Sequence, residues 1–104
     1  MIVVTTETVP GREIIETLGV ARGSVVRAKH VGSDIVASLR NIVGGEVKEY
    51  AQLLAAAREQ AMDRMVEDAR QAGADAVVCM RMTTSMIMGG SSEVLAYGTA
   101  VRLG

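Results

Sequence analysis

The segment from Glu46 to Ala72 constrains this chain more than any other, because it is the one long stretch with an unbroken helical period. Apolar side chains fall at Val47, Tyr50, Leu54, Ala57, Ala61, Met65, Ala69 and Ala72, three or four apart, and Leu53, Met62 and Val66 widen the stripe. Positions at that spacing share one side of an α-helix. Lys48, Glu49, Arg58, Glu59, Asp63, Asp68 and Arg70 take the opposite side. The pattern predicts one amphipathic helix lying on an apolar surface. Gly44 and Gly45 punctuate its entry, and Gly73 supplies a C-terminal cap.

The surface that receives the helix is a sheet. Met1 to Thr6 is a short β-rich run that stops at the turn signal Pro10-Gly11. Arg12 to Lys29 has strand character interrupted at Gly19 and Gly23, which predicts a long strand bulged or closely approached there. Ser33 or Asp34 can cap a short helix whose apolar residues are Ile35, Val36, Leu39, Ile42 and Val43. After Gly73 the period changes from about four to two. Ala74, Ala76, Val78, Met80, Met82, Thr84 and Met86 then share one face, and Asp75, Val77, Cys79, Arg81, Thr83 and Ser85 the other.

Gly89 to Ser92 reads as a loop, followed by a last strand over Glu93 to Leu103. Leu95, Tyr97, Thr99, Val101 and Leu103 form one side of it, and the smaller Val94, Ala96, Gly98 and Ala100 lie on the other with Arg102. Two strands joined by a short Gly/Ser loop predict an antiparallel hairpin. The resulting order is β-β-α-α-β-β, an α+β subunit in one domain over residues 1–104.

Several strands put Val, Leu, Cys or Tyr on both faces, whereas one helix covers only one. The remaining face would be a larger apolar patch than a monomer normally exposes, so the pattern predicts assembly of like subunits. Edge strands at both ends of the chain lead the same way.

A net charge of -1, without a basic stripe, excludes an electrostatic nucleic-acid binder. Phe and Trp are absent, which removes most stacking platforms and leaves Val, Ile, Leu, Ala and Met to build the core. The longest apolar run is too short to span a bilayer, the N-terminus has no leader pattern, and the one cysteine has no partner within the chain. A cytoplasmic protein is the expectation.

Val4-Thr5-Thr6, Ile42-Val43-Gly44-Gly45, the Tyr50 to Arg58 stretch, Gly73-Ala74-Asp75-Ala76-Val77-Val78 and Tyr97-Gly98-Thr99-Ala100-Val101 together resemble the YbjQ-like family of small bacterial proteins. The resemblance covers nearly the whole chain. It implies a two-layer, dodecin-like subunit, with an antiparallel β-sheet packed by the helix layer, assembled as a homopentamer. It also carries a heavy-metal-binding label, without a ligand set that can be placed on these residues.

Candidate ligands are therefore weighed on their own chemistry. His30 and Cys79 are the two obvious soft ligands, but neither has a nearby partner. The ordinary reading is a surface histidine beside Lys29 and a small buried strand cysteine. In a symmetric ring, one such residue from each copy could converge. Met80, Met82, Met86 and Met88 could hold copper(I), although their alternation fits packing in a core that lacks Phe. Gly44-Gly45 could cradle an anion, yet no Lys or Ser/Thr follows and Glu46 would repel it. Asp75 suits a turn, and Glu59 with Asp63 an exposed helical face.

No nucleophile with a base, carboxylate pair or cofactor loop assembles, so an enzyme ranks last and no cofactor is assigned. The leading expectation is a homo-oligomeric module holding any ligand between subunits, and the alternative is a metal-binding protein.

Overall fold

The computed structural model describes residues 1–27, 48–87 and 91–104. It is a four-stranded mixed sheet with one long helix across it. The elements are β1 (Ile2–Val3), β2 (Ile14–Arg27), α1 (Lys48–Gln71), β3 (Ala76–Ile87) and β4 (Ser91–Leu103). The expected short helix after Ser33, together with Gly44-Gly45, lies outside the described residues, which run β-β-α-β-β within the expected α+β class.

The helix follows its sequence pattern. Ala57, Ala61, Met65 and Ala69 are buried, and Leu53, Leu54, Met62 and Val66 are half-buried beside them, whereas Ala72 is exposed. Gly73 has φ +85°, its amide bonds the Arg70 carbonyl at 3.0 Å, and the Ala74 amide bonds the Ala69 carbonyl at 3.1 Å. Those two bonds satisfy carbonyls that the helix end would otherwise leave open, a Schellman cap.

In space the strands run β1-β3-β4-β2. β3 and β4 form the expected antiparallel hairpin, with Ile87 opposite Ser91, and β2 pairs antiparallel with β4. β1, however, runs parallel to β3, Ile2 against Ala76, so the sheet is mixed rather than antiparallel. This follows from the chain path: β1 does not turn directly into its neighbour but reaches β3 only after β2 and α1 have intervened. The C-terminal strand is also interior, and the edges are β1 and β2.

Both sheet faces carry cores. On the helix side, Ala21 and Val25 of β2, Val77 of β3 and Val94, Ala96 and Ala100 of β4 meet the alanine-rich stripe and Met65. Small residues on both layers let backbones approach closely: a Cβ on Gly23 would fall against the Met65 amide nitrogen and the Ala61 carbonyl oxygen. On the far side, Val4, Val9 and Ile14 fold back over Ala76, Val78, Val101 and Leu103. Pro10 and Gly11 make the reversal. Gly11 has φ +82° and the Arg12 amide bonds the Val9 carbonyl at 3.0 Å, a type II turn.

Gly19 has φ +117° and sits where the β2–β4 register shifts, so the two glycines of β2 divide the expected roles between a bulge and a close approach.

Candidate functional site

Strict alternation along β3 fails at Cys79. Val78 pairs with Thr99 and Arg81 with Tyr97, so Cys79 and Met80 together face Gly98. This β-bulge turns the strand half a period: Val77 and Met82 lie on the helix side, whereas Ala76 and Val78 belong to the far-side core. The expectation that Ala76, Val78, Met80 and Met82 share one face is corrected accordingly. Cys79 takes φ +55°, in the left-handed region that L residues adopt at a cost of about 1–2 kcal/mol.

The displaced amides find partners on the N-terminal segment. Cys79 N–H donates to the Thr6 carbonyl and Met80 N–H to the Val4 carbonyl, each at 3.0 Å. Arg81 Nη1 then donates to the Thr5 carbonyl at 3.0 Å and to the Met80 carbonyl at 2.8 Å. Gly98 makes the bulge possible, because a Cβ there would stand 2.5 Å from Val77 Cγ1 and 3.0 Å from the Val78 carbonyl oxygen. The Cys79 thiol is free and half-buried, packed on the far-side core beside Val4 and Val9.

His30 and Met88 lie outside the described residues. Among the described residues, no three His, Cys, Asp or Glu side chains come together as a metal site. Met80 and Met82 pack on the helix-side core, while Met86 is 83% exposed near the end of the hairpin. Asp75 accepts the Leu103 amide at 2.8 Å and its own amide donates to the Val101 carbonyl at 2.9 Å, so it ties β3 to the end of β4. Glu59 and Asp63 are exposed on the helix.

The apolar face expected to lie uncovered by the helix is bare over half its length. The N-terminal segment covers only the end that carries Val78, Val101 and Leu103. Beyond it Val20 is 64%, Val26 58% and Tyr97 38% exposed. Val20, Arg22, Leu95 and Tyr97 line an open, mainly apolar hollow of about 360 Å³. Register places Arg22 opposite Tyr97 on one side and Arg81 opposite it on the other. The alternation of large and small residues in β4 was the available signal. The flanking arginines escaped notice because the bulge sets the phase of Arg81.

A two-layer α+β domain with small residues beneath its helix and large apolar residues on its outer sheet face is the class these observations define. The chain belongs to the YbjQ-like family: the family model described as "Putative heavy-metal-binding" matches residues 1–104. It is 58% identical to a UPF0145 protein of Methanosarcina acetivorans, with 99% of this chain and 97% of that protein aligned. A UPF0145 protein of Halobacterium salinarum is 65% identical over 96% of each chain. One of Shewanella frigidimarina is 58% identical, covering 100% of this chain and 97% of the relative. A crystal structure of a DUF74-family protein of unknown function from Pediococcus pentosaceus has the same fold, with a TM-score of 0.55 at 17% identity, covering 100% of this chain and 98% of that one. No helix among the described residues is long and apolar enough to cross a membrane.

Proposed function

We propose that the chain is the protomer of a homo-oligomer of five copies, a small cytoplasmic binding module whose ligand lies between subunits. The observation that carries this reading is the bare far face, where Val20, Val26, Leu95 and Tyr97 point away from the only helix described. An apolar surface of that kind is stabilised when a second protein surface removes it from water. The shape of the protomer supports the same reading. Its radius of gyration is 16.9 Å, against about 13 Å for a compact domain of roughly 100 residues. Long strands that extend, among the described residues, without a full second layer are ordinary in a subunit and unfavourable in a lone chain.

The test is native mass spectrometry of the purified protein. A mass near five times the 11.0 kDa chain supports the reading, and a clean monomer at micromolar concentration sinks it.

A second reading, metal binding, is favoured by the family description that matches the whole chain. In that case the ligands come from more than one copy or from residues outside the described ones, such as His30, with Cys79 as the described thiol. Elemental analysis after exhaustive dialysis tests it: stoichiometric zinc, copper or nickel lost in Cys79→Ser or His30→Ala supports it, and metal-free protein that remains assembled removes it.

A further inference from the structure

We propose that Arg22 and Tyr97 bind an organic anion, with its carboxylate or phosphate on the Arg22 guanidinium and the Tyr97 hydroxyl and its apolar part on Val20 and Leu95. This deepens, and rests on, the reading of the far face as the boundary where copies hold a ligand.

The Arg22–Tyr97–Arg81 row is fixed by register. Tyr97 of β4 pairs with Arg22 of β2 and with Arg81 of β3, so all three side chains leave the same face in line. Neighbouring strands lie about 4.8 Å apart, which sets the two arginine backbones roughly 10 Å apart with one ring between them. Arg22 and Tyr97 line the hollow together, whereas the Arg81 guanidinium reaches the other way, to the carbonyls of Thr5 and Met80. The donors that face the hollow are unspent. The Arg22 guanidinium and the Tyr97 hydroxyl have no partner among the described residues, and Arg22 is anchored through its backbone amide on Asp68. Arg81 is held on the carbonyls of Thr5 and Met80, so it adds positive charge nearby rather than a contact in the hollow.

Among the described residues, the rows that flank this one carry no compensating charge. The flanking rows are Val20–Thr99–Val78 and Ser24–Leu95–Thr83, neither of which contains a carboxylate. Glu93 stands one row further, beside Val26 and Ser85. Two cations on one apolar face of a chain whose net charge is -1 form a local anion-attracting potential. An apolar hollow of about 360 Å³ adjoins it, within the size range of small-molecule sites. A ligand that couples an anionic group to an aliphatic or aromatic part uses both features, whereas a bare hydrated ion uses one. The same anionic chemistry could come from a carboxylate side chain of a second copy, and the experiment separates these sources.

Phenyl phosphate is titrated into the full chain, with inorganic phosphate in parallel, by calorimetry and tyrosine fluorescence, and native mass spectra are taken of the same samples. Saturable phenyl phosphate binding is expected, about tenfold tighter than inorganic phosphate. Arg22→Gln is expected to weaken it by about tenfold and Tyr97→Phe by about threefold, with the subunit count unchanged. Arg22→Gln leaves the backbone bond to Asp68 in place, so loss of folding does not confound it. Equal binding of the two probes means an adventitious ion only and overturns the proposal, as does no saturable binding at millimolar concentration. No binding, with an Arg22→Gln protein of lower mass, assigns the row to carboxylates of a second copy and also overturns it. A wild-type monomer that binds phenyl phosphate through Arg22 supports this site while removing the oligomer reading.

Discussion

The backbone amide of Arg22 donates to Asp68 Oδ2 at 3.0 Å, joining an edge strand to the helix packed over it. One turn earlier on the same helix face, Arg64 Nη1 donates to the Ser24 carbonyl at 2.5 Å. Between them Gly23 admits the helix backbone. An edge strand normally presents unpaired amides and carbonyls, and here the helix side chains take up one of each. Asp68→Ala should lower stability by about 1 kcal/mol, below the usual range for a charge-assisted bond because both groups are exposed. Asp68→Asn should retain part of it. Urea denaturation reads the change, and an unaltered midpoint with unaltered exchange of the Arg22 amide would sink the assignment.

Two glycines are constrained by contact rather than by φ. A methyl at Gly23 would overlap the Met65 nitrogen, the Ala61 carbonyl and Arg64 Cβ, all but the last being helix backbone. At Gly98 it would meet Val77 Cγ1 at 2.5 Å and the bulge backbone behind it. Gly23→Ala and Gly98→Ala should each destabilise by about 1–3 kcal/mol, through displacement of the helix and of the bulge respectively. Thermal melts with the neighbouring Ala21→Gly as a reference check this. A Gly23→Ala protein as stable as wild type would mean that the helix does not sit where its alanines place it.

Much of this architecture is written in the chain. The helix stripe, the Gly73 cap, the Pro10-Gly11 turn, the closing hairpin and the large and small sides of β4 all rest on near-neighbour periodicity or turn chemistry, and all are found. What escaped depends on long-range placement. The parallel pairing of β1 joins positions more than seventy residues apart, Ile2 and Ala76, and nothing within Ile2–Val3 specifies its direction. The β3 bulge escaped because its left-handed residue is Cys79 rather than a glycine, and the glycine that permits it lies across the ladder at Gly98. Asp68 read as part of the polar side of the helix, yet it serves the edge of β2. The Arg22–Tyr97–Arg81 row needed both registers and the bulge phase, so composition could not reveal it.

Cys79 offers a test in which backbone conformation and strand propensity disagree. Propensity ranks valine well above glycine in a strand. At φ +55° the order should invert, since a β-branched residue is strained in that region and glycine is not. Cys79→Gly should lie within about 1 kcal/mol of wild type, relief of strain offsetting lost packing and greater freedom of the unfolded chain. Cys79→Val should destabilise by about 2 kcal/mol or more. Chemical denaturation of the pair decides it: valine more stable than glycine would mean that the bulge is not held in solution.

The far face yields the last prediction. Val20 is 64% exposed on the single chain, so replacing it should barely alter the folding of an isolated chain, where surface changes are usually within about 0.5 kcal/mol. If another copy covers Val20, a charge there must be desolvated without a partner when copies meet. Arg22, two residues along the same face, makes a further cation worse still. Val20→Lys should therefore keep the circular dichroism of wild type while its native mass distribution moves toward single chains at micromolar concentration. An assembly of unchanged mass and unchanged dissociation on dilution would place the subunit boundary elsewhere on the molecule. A loss of secondary structure in the monomeric fraction would instead mean that the protomer folds only as it assembles, because the thin alanine-lined core beneath the helix is then too small to hold the sheet alone.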